Sequence, residues 1–273
     1  MIMQSTAVFD ILAQNYDADF TSSAIGRLQR NRVWSYLNPI IKEAERPLKI
    51  LEINCGTGDD AIQLATMGHR VIATDSSAGM IEKAKEKIGI SYGNALDVSF
   101  VVCPFSDLST LYANEKFDLV FSNFGGLNCI NKKALEKLYR DLSALTKAGG
   151  NIFFVLFAPW CLWEIFYYGI RGKFNTAFRR FKKSSGFTVN DQTMLVFYYS
   201  PRTIKKIFSP GFNSFQKHPV GLFIPPSYLE DRFKNKKTRL EKLNYREEKF
   251  SPSVLSSFAD HYCVIFKKTP TNT

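Results

Sequence analysis

The sequence has little of what metal and disulfide sites require. Its five cysteines, Cys55, Cys103, Cys129, Cys161 and Cys263, are odd in number and widely scattered. No CxxC pair occurs, so neither a zinc site nor a disulfide framework is expected, and free thiols of a reducing cytoplasm are the simplest reading. There are no internal repeats, linkers or low-complexity tracts. The opening stretch MIMQSTAVFDILAQNYD lacks a basic head ahead of an apolar run, which argues against a secretory signal. Long apolar runs are nearly absent too. The one suspect, Ile152 to Ile170, contains Pro159 and Glu164. It reads as a strand buried on both faces followed by an aromatic helix, not as a bilayer span.

What is present suits a soluble globule of 273 residues, with 45% hydrophobic residues to fill one large core. The net charge of +11 is unevenly placed. Trp160 to Phe250 holds 18 Lys/Arg and 7 Asp/Glu, whereas the remainder holds 18 of each. One segment therefore carries the whole excess, as a solvated surface or as a docking face for something anionic.

The middle of the chain alternates strand and helix patterns. LKILEIN (48–54), RVIATD (70–75), VSFVVC (98–103), KFDLVFSN (116–123) and NIFFVLF (151–157) read as strands. Helices are expected at Asp59–Met67, Ala78–Ile88 and Lys132–Thr146, the last ending at Gly149–Gly150. Such alternation means βαβ units and a parallel sheet covered on both faces. Val8 to Leu37 reads as an amphipathic helix ahead of Asn38–Pro39. MLVFYYS (194–200) looks like a strand, SPRTIKKIFS (200–209) a short helix, and Phe212–Ile224 and His261–Lys267 two late strands pairing at the sheet edge. The expected organisation is one α/β domain, a doubly wound, seven-stranded, mostly parallel sheet. It would comprise a helical cap (1–47), a core (48–158), an aromatic and basic lid (159–210) and C-terminal strands (211–273).

In an open α/β sheet, ligands bind at the carboxyl ends of the strands. Here the first strand runs into LEINCGTGDD, where Gly56 and Gly58 allow a tight turn and close backbone approach. Asp75 ends the second strand, where a carboxylate can accept two hydrogen bonds from a ribose diol. The run Gly56 to Ala61 also fits the dinucleotide pattern G-x-G-x-x-G/A. Two features tilt away from that reading. Glu52 lies inside the first strand, and Asp59–Asp60 open the next helix, where they would repel a pyrophosphate. A ligand carrying a sulfonium and an ammonium would welcome those acids.

The stretch ILEINCGTGDDAIQLATMGHRVIATDSSAGMIEKAKEKI resembles the first two motifs of class I S-adenosylmethionine-dependent methyltransferases, and the likeness extends over about Phe9 to Phe157. The resemblance implies that Glu52, Asn54, Gly56 and Gly58 face the methionine part of the cofactor, that Asp75 takes the ribose hydroxyls, and that Ser76 and Met80 lie near the adenine. FDLVFSNFGGLN is similar to the fourth motif and would set Asn123 beside the transferable methyl. FDILAQNYDADF is similar to the cap of small-molecule members, with Tyr16 closing over the cofactor and Arg30 meeting its carboxylate. Three positions depart from the pattern. Asn54 replaces the first loop glycine, though Asn tolerates left-handed backbone. Pro104 stands where an acid often holds the adenine, leaving Phe105, Ser106 or a shifted Asp107 for that role. Asn128 and Cys129 stand where many relatives carry a histidine.

Methyl transfer needs in-line positioning and exclusion of water, with a base only where the nucleophile must lose a proton. Of the three histidines, His69 reads as structural, His261 as packing, and His218, before Pro219, as the base candidate. Cys129 reads as a buried thiol. A nicotinamide oxidoreductase and a nucleic-acid methyltransferase are the rival readings. The first lacks a Lys, Tyr or His constellation, and the second lacks an NPPY-like tetrad or Pro-Cys nucleophile after the fourth strand. The expectation is therefore a cytoplasmic, metal-free methyltransferase of a small, partly apolar acceptor, using S-adenosyl-L-methionine. Its basic segment 171–183 would meet an anionic membrane surface or an acidic carrier protein.

Overall fold

The computed structural model describes residues 2–269, and the side chains from residue 6 onward. Residue 1 and residues 270–273, the outermost parts of the expected cap and C-terminal segments, lie outside it. In chain order the elements begin with α1 (Ile2–Leu12), a π-helical turn (Asp17–Thr21) and α2 (Ala24–Glu43). The core follows as β1 (Lys49–Ile53), α3 (Asp59–Thr66), β2 (Arg70–Asp75), α4 (Ala78–Ser91), β3 (Val98–Val102), α5 (Leu108–Leu111), β4 (Phe117–Ser122), α6 (Lys132–Leu145) and β5 (Thr146–Phe157). Then come α7 (Leu162–Gly169), α8 (Phe174–Ala177), a 3-10 turn (Arg179–Lys182), β6 (Ser184–Val189), β7 (Gln192–Phe197) and α9 (Pro201–Phe208). The chain closes with β8 (Phe212–Val220), α10 (Glu230–Phe233), α11 (Lys237–Phe250) and β9 (His261–Lys268).

The seven-stranded sheet has the order β3-β2-β1-β4-β5-β9-β8. Strands β1 to β5 run parallel, while β9 is antiparallel to both β5 and β8. The central position of β4 explains its sequence: every residue of FDLVFS is buried, as expected for a strand covered on both faces. α6 shows the opposite pattern, with Leu135, Leu138, Leu142 and Leu145 on one buried stripe. Its N-terminus is capped by Asn131, whose side chain accepts from the Ala134 amide. Ser23, Ser77 and Ser200 cap α2, α4 and α9 in the same way, and Pro201 occupies the first turn of α9.

Four expectations are corrected. α2 does not stop before Asn38–Pro39 but continues through Pro39 to Glu43. Ser35, whose carbonyl loses its helical partner to the proline, is exposed to water, and the buried Leu37 and Ile41 keep the helix seated. α6 ends at Leu145, and Gly149–Gly150 fall inside β5. There the register jumps from Phe117–Thr146 to Leu119–Asn151, and Gly149 supplies φ 72° for the bulge. The strand expected over MLVFYYS stops at Phe197. Its first residues belong to β7, which pairs with β6 in a separate hairpin. That hairpin turns on Asn190 and Asp191, both at positive φ, as tight two-residue turns demand. The last correction concerns α11, a helix inserted between the two late strands that the sequence pattern did not announce. Its Glu247 is fully buried and accepts from the backbone amides of Gly221, Leu222, Phe223 and Ile224.

Candidate functional site

A cleft enclosing about 960 Å³ of space, open solvent included, lies at the carboxyl ends of β1, β2 and β4. Its position is that of a ligand site at the switch point of an open α/β sheet. Tyr16, Arg30, Glu52, Asn54, Gly56, Asp75, Ser76, Met80, Phe105 and Asn123 all line it. Gly58, Ser106 and His218 are not among the lining residues.

The floor is built by the loop after β1. Asn54 adopts φ 53°, so the turn made elsewhere by glycine survives with asparagine. Its side chain also joins two strand ends: Nδ2 donates to the Asn123 carbonyl at 2.9 Å, and Oδ1 accepts from Ser122 Oγ at 2.6 Å. A Cβ on Gly126 would approach the Asn54 side chain to 2.2 Å, so the larger residue at position 54 requires the smaller one at 126. Gly58, at φ 81°, serves packing rather than the cavity, because a Cβ there would meet Phe100 at 2.7 Å and Ala84 at 2.9 Å. The Tyr16 ring lies over Gly56, 3.8 Å from where a Cβ would stand. Burial raises the Tyr16 phenol well above its ordinary range, so it remains a neutral hydroxyl.

The electrostatics are dominated by four carboxylates on the cavity wall, and they divide into two pairs. Asp59 is ion-paired with Lys87 at 2.8 Å, and Asp60 with Arg30 at 2.7 Å. Asp60 also accepts from Trp34 Nε1 and Asn123 Nδ2. Asp75 has no cation; its oxygens accept from the amides of Gly56 and Ser77, both at 2.9 Å. A carboxylate offers about four acceptor positions, so two amides leave room for more. Glu52 is 1% exposed, and its Oε2 has no hydrogen-bond partner. Burial, reinforced by Asp60, raises the Glu52 carboxyl well above the usual range. Burial likewise raises Asp75, against the pull of its two amides. Arg30 Nε is a second buried atom on this wall without a partner. An unpaired acid and an unpaired guanidinium donor in one cavity suit a ligand carrying both a cation and a carboxylate.

Several lining residues were not singled out from the sequence. Phe9 comes from α1, Thr57 from the glycine loop, and Phe124, Gly126 and Ile130 from the segment after β4. The left-handed residues Phe124 (φ 47°) and Gly125 (φ 81°) were the available signal, since the glycine pair after a buried strand marks a sharp turn. Cys129, read as a buried thiol, is half-buried and lines the cavity. Burial pushes its thiol up to about 12, which keeps it protonated.

The histidines separate clearly. His69 accepts from the Leu48 amide through Nδ1 at 3.2 Å, a structural contact. His218, the sequence's base candidate, lies in β8 and stacks on Tyr36 at 4.4 Å between ring centres, with its imidazole disfavoured as a cation by burial and by Arg32. His261 starts β9, stacks on Phe157 at 4.5 Å and meets the cavity residue Phe124 edge-on at 5.4 Å.

Behind that edge lies a buried ionic cluster. Arg180 donates to Glu164 and Asp260, each at 2.7 Å, and to the carbonyls of Ala158 and Asp260. Arg179 adds two hydrogen bonds to Glu164, at 3.0 and 2.6 Å. Gln29 donates to Asp260, and His261 Nδ1 lies 3.2 Å from the same carboxylate. Burial opposes ionisation of Asp260, but His261 and Arg180 outweigh it and hold the group below the ordinary carboxylate range. Among the described residues, no group of His, Cys, Asp and Glu could hold a metal ion.

Comparison with known proteins follows the same lines. Residues 50–150 match the family model described as a methyltransferase domain. A demethylmenaquinone methyltransferase of Clavibacter sepedonicus is 32% identical over 152 residues, covering 55% of this chain and 56% of that protein. A tRNA 5-carboxymethoxyuridine methyltransferase of Escherichia coli is 29% identical over 103 residues, covering 37% and 39%. The match thus spans about half or less of these relatives' own lengths. The solved structure of a DhpI complex with S-adenosylhomocysteine superposes over 99% of this chain and 98% of its own, with a TM-score of 0.57 at 17% identity. That likeness establishes a shared fold from end to end.

Proposed function

We propose that the chain, whose residues 50–150 match a methyltransferase domain, is a class I S-adenosylmethionine-dependent enzyme that transfers a methyl group to a small, partly apolar acceptor through an oxygen or nitrogen nucleophile. The observation that carries this reading is the Glu52 carboxyl, buried on the cavity wall with one oxygen that has no hydrogen-bond partner. The named relative from Clavibacter, a demethylmenaquinone methyltransferase, supports a small-molecule acceptor.

The residues present fit the cofactor. Glu52 would face the methionine ammonium, Arg30 its carboxylate, and Asp75 the ribose diol. Met80, Phe105 and Ser76 would flank the adenine, and Asn123 the methyl. Gly58 and Ser106 act behind the cavity wall in this reading, and His218 takes no part. When bound, S-adenosylmethionine supplies an electrophilic methyl on a sulfonium. Tyr16 and Phe9, both on the cavity wall, would close over the bound cofactor and limit water there, which strengthens charge interactions inside. The basic segment supports delivery of the acceptor from an anionic source, a membrane leaflet or an acidic carrier.

Titration calorimetry with S-adenosylhomocysteine tests the reading. Binding is expected, and Asp75→Ala should weaken it at least tenfold through loss of charge-assisted hydrogen bonds of about 1.5–3 kcal/mol each. Absence of binding by the wild type, or an unchanged affinity in the variant, would refute it.

A further inference from the structure

The segment between β5 and β6 has two faces, and only one is packed. On the inner face, Trp163 and Tyr167 of α7 rest on a cluster containing Leu229 and Phe233, while Glu164 points into the buried ionic cluster. The outer face carries large apolar side chains in water. Phe166 is 67% exposed, Ile170 80% and Phe174 61%. Phe166 and Ile170 stand four residues apart, hence on one side of the helix. Trp160, Phe178 and Phe181 form a further group of exposed, neighbouring rings in the same segment, with centroids 6.1 Å apart for Trp160–Phe181 and 5.5 Å for Phe178–Phe181. An exposed run of this size is uncommon on a protein without a partner surface.

The charges of the same ridge all have one sign. No Asp or Glu occurs from Ile165 to Asn190. Arg179 and Arg180 turn inward to Glu164, and the remaining cations face water. Lys173, Lys182 and Lys183 are exposed and form no ion pair among the described residues. No described helix is long and apolar enough to cross a membrane. Short helices presenting rings bordered by lysines, with no anion among them, complement a surface that is apolar beneath and anionic on top. An acidic protein would satisfy the lysines but has no evident use for the rings. The ridge is linked to the cavity through the hairpin and α1. The hairpin that follows it packs Met194 and Val196 on Val8 of α1, whose neighbour Phe9 lines the cavity.

We propose that this ridge docks the protein on an anionic lipid leaflet, from which the methyl acceptor is drawn; the proposal rests on the methyltransferase reading and names its source of substrate. The rings enter the interface and the lysines hold the headgroups. Docking is reversible and salt-dependent, because the lysine attraction fades within a Debye length.

The test is sedimentation with phosphatidylcholine vesicles, with and without phosphatidylglycerol, at low and high salt. The wild type should sediment with the anionic vesicles only, and less at high salt. The triple change Lys173→Gln, Lys182→Gln, Lys183→Gln should weaken partition about a hundredfold. Phe174→Ser with Phe178→Ser should also weaken it, and both variants should keep the wild-type affinity for S-adenosylhomocysteine, which shows that they fold. Failure of the wild type to bind anionic vesicles at low salt overturns the proposal. So does equal binding to neutral vesicles, unchanged partition of the lysine variant, or capture by a soluble acidic carrier protein in place of vesicles. Vesicle binding without cofactor binding would instead overturn the methyltransferase reading.

Discussion

The cavity wall and the cluster beneath the basic ridge are both rich in buried acids, and they treat those acids in opposite ways. Under the ridge, Glu164 and Asp260 share Arg180, Arg179 adds two further bonds to Glu164, and nearby carbonyls accept from Arg180 Nη1, so that both acids have a cation although Arg180 Nε has no partner. On the cavity wall, Glu52 keeps an oxygen without a partner and Asp75 has only amides. A burial penalty that is compensated internally fixes the structure. One left uncompensated is removed when a cation arrives, so that region is built to bind.

The largest effect should come from breaking the compensated side. Arg180→Leu leaves two carboxylates buried without their main cation, and loss of one partner of such a cluster costs about 3–5 kcal/mol. Denaturant unfolding should show a loss of that size, with the whole ridge loosened from β9. A change below about 1 kcal/mol would mean that the cluster is relaxed by water and is not a clamp.

A smaller effect, and one that separates the two regions by sign, is pH dependence. Asp260 is held below its ordinary range, so its contribution to stability is present above the unfolded carboxylate range and is lost as pH falls through its lowered value. Glu52 is raised, so its contribution is complete in acid and is lost as pH rises through its raised value. Ligand binding reverses the second case, because a cation favours the ionised acid. Affinity for S-adenosylmethionine should therefore fall as pH drops through the Glu52 transition. Affinity for S-adenosylhomocysteine, which lacks the sulfonium charge, should fall less. Calorimetry with both ligands on wild type and Glu52→Gln measures this, and parallel pH profiles in the two proteins would remove Glu52 from the account.

The smallest effect is expected at His218. Since it stacks on Tyr36 away from the cavity, His218→Ala should leave the rate of methyl transfer within about twofold and remove stacking worth about 0.5–1.5 kcal/mol. A thousandfold loss of activity with unchanged stability would restore the base that the sequence suggested.

Much of the site was legible in the sequence because it is local. The turn from Asn54 to Gly58 and the acid at Asp75 follow from residue types at the ends of two strands. The role of Gly126 was not, since it depends on an asparagine that is 72 positions away in sequence and adjacent in space. Gly58 shows the converse. Its conformation was foreseeable, yet its reason is contact with Phe100 and Ala84 from other elements. The basic segment was visible as composition, but Arg180 looks in sequence like its neighbours Lys182 and Lys183, and only burial distinguishes them.

By itself the sequence determined the parallel core and its loop chemistry, because hydrophobic periodicity and glycine conformations are properties of short segments. Tertiary structure alone decided the places of α11 and the β6–β7 hairpin, which acids keep a cation, and which cations face water. Those outcomes depend on long-range contacts, such as Glu164 with Arg180 and Glu247 with the loop after β8, and a charge's worth is set by what surrounds it rather than by where it stands in the chain.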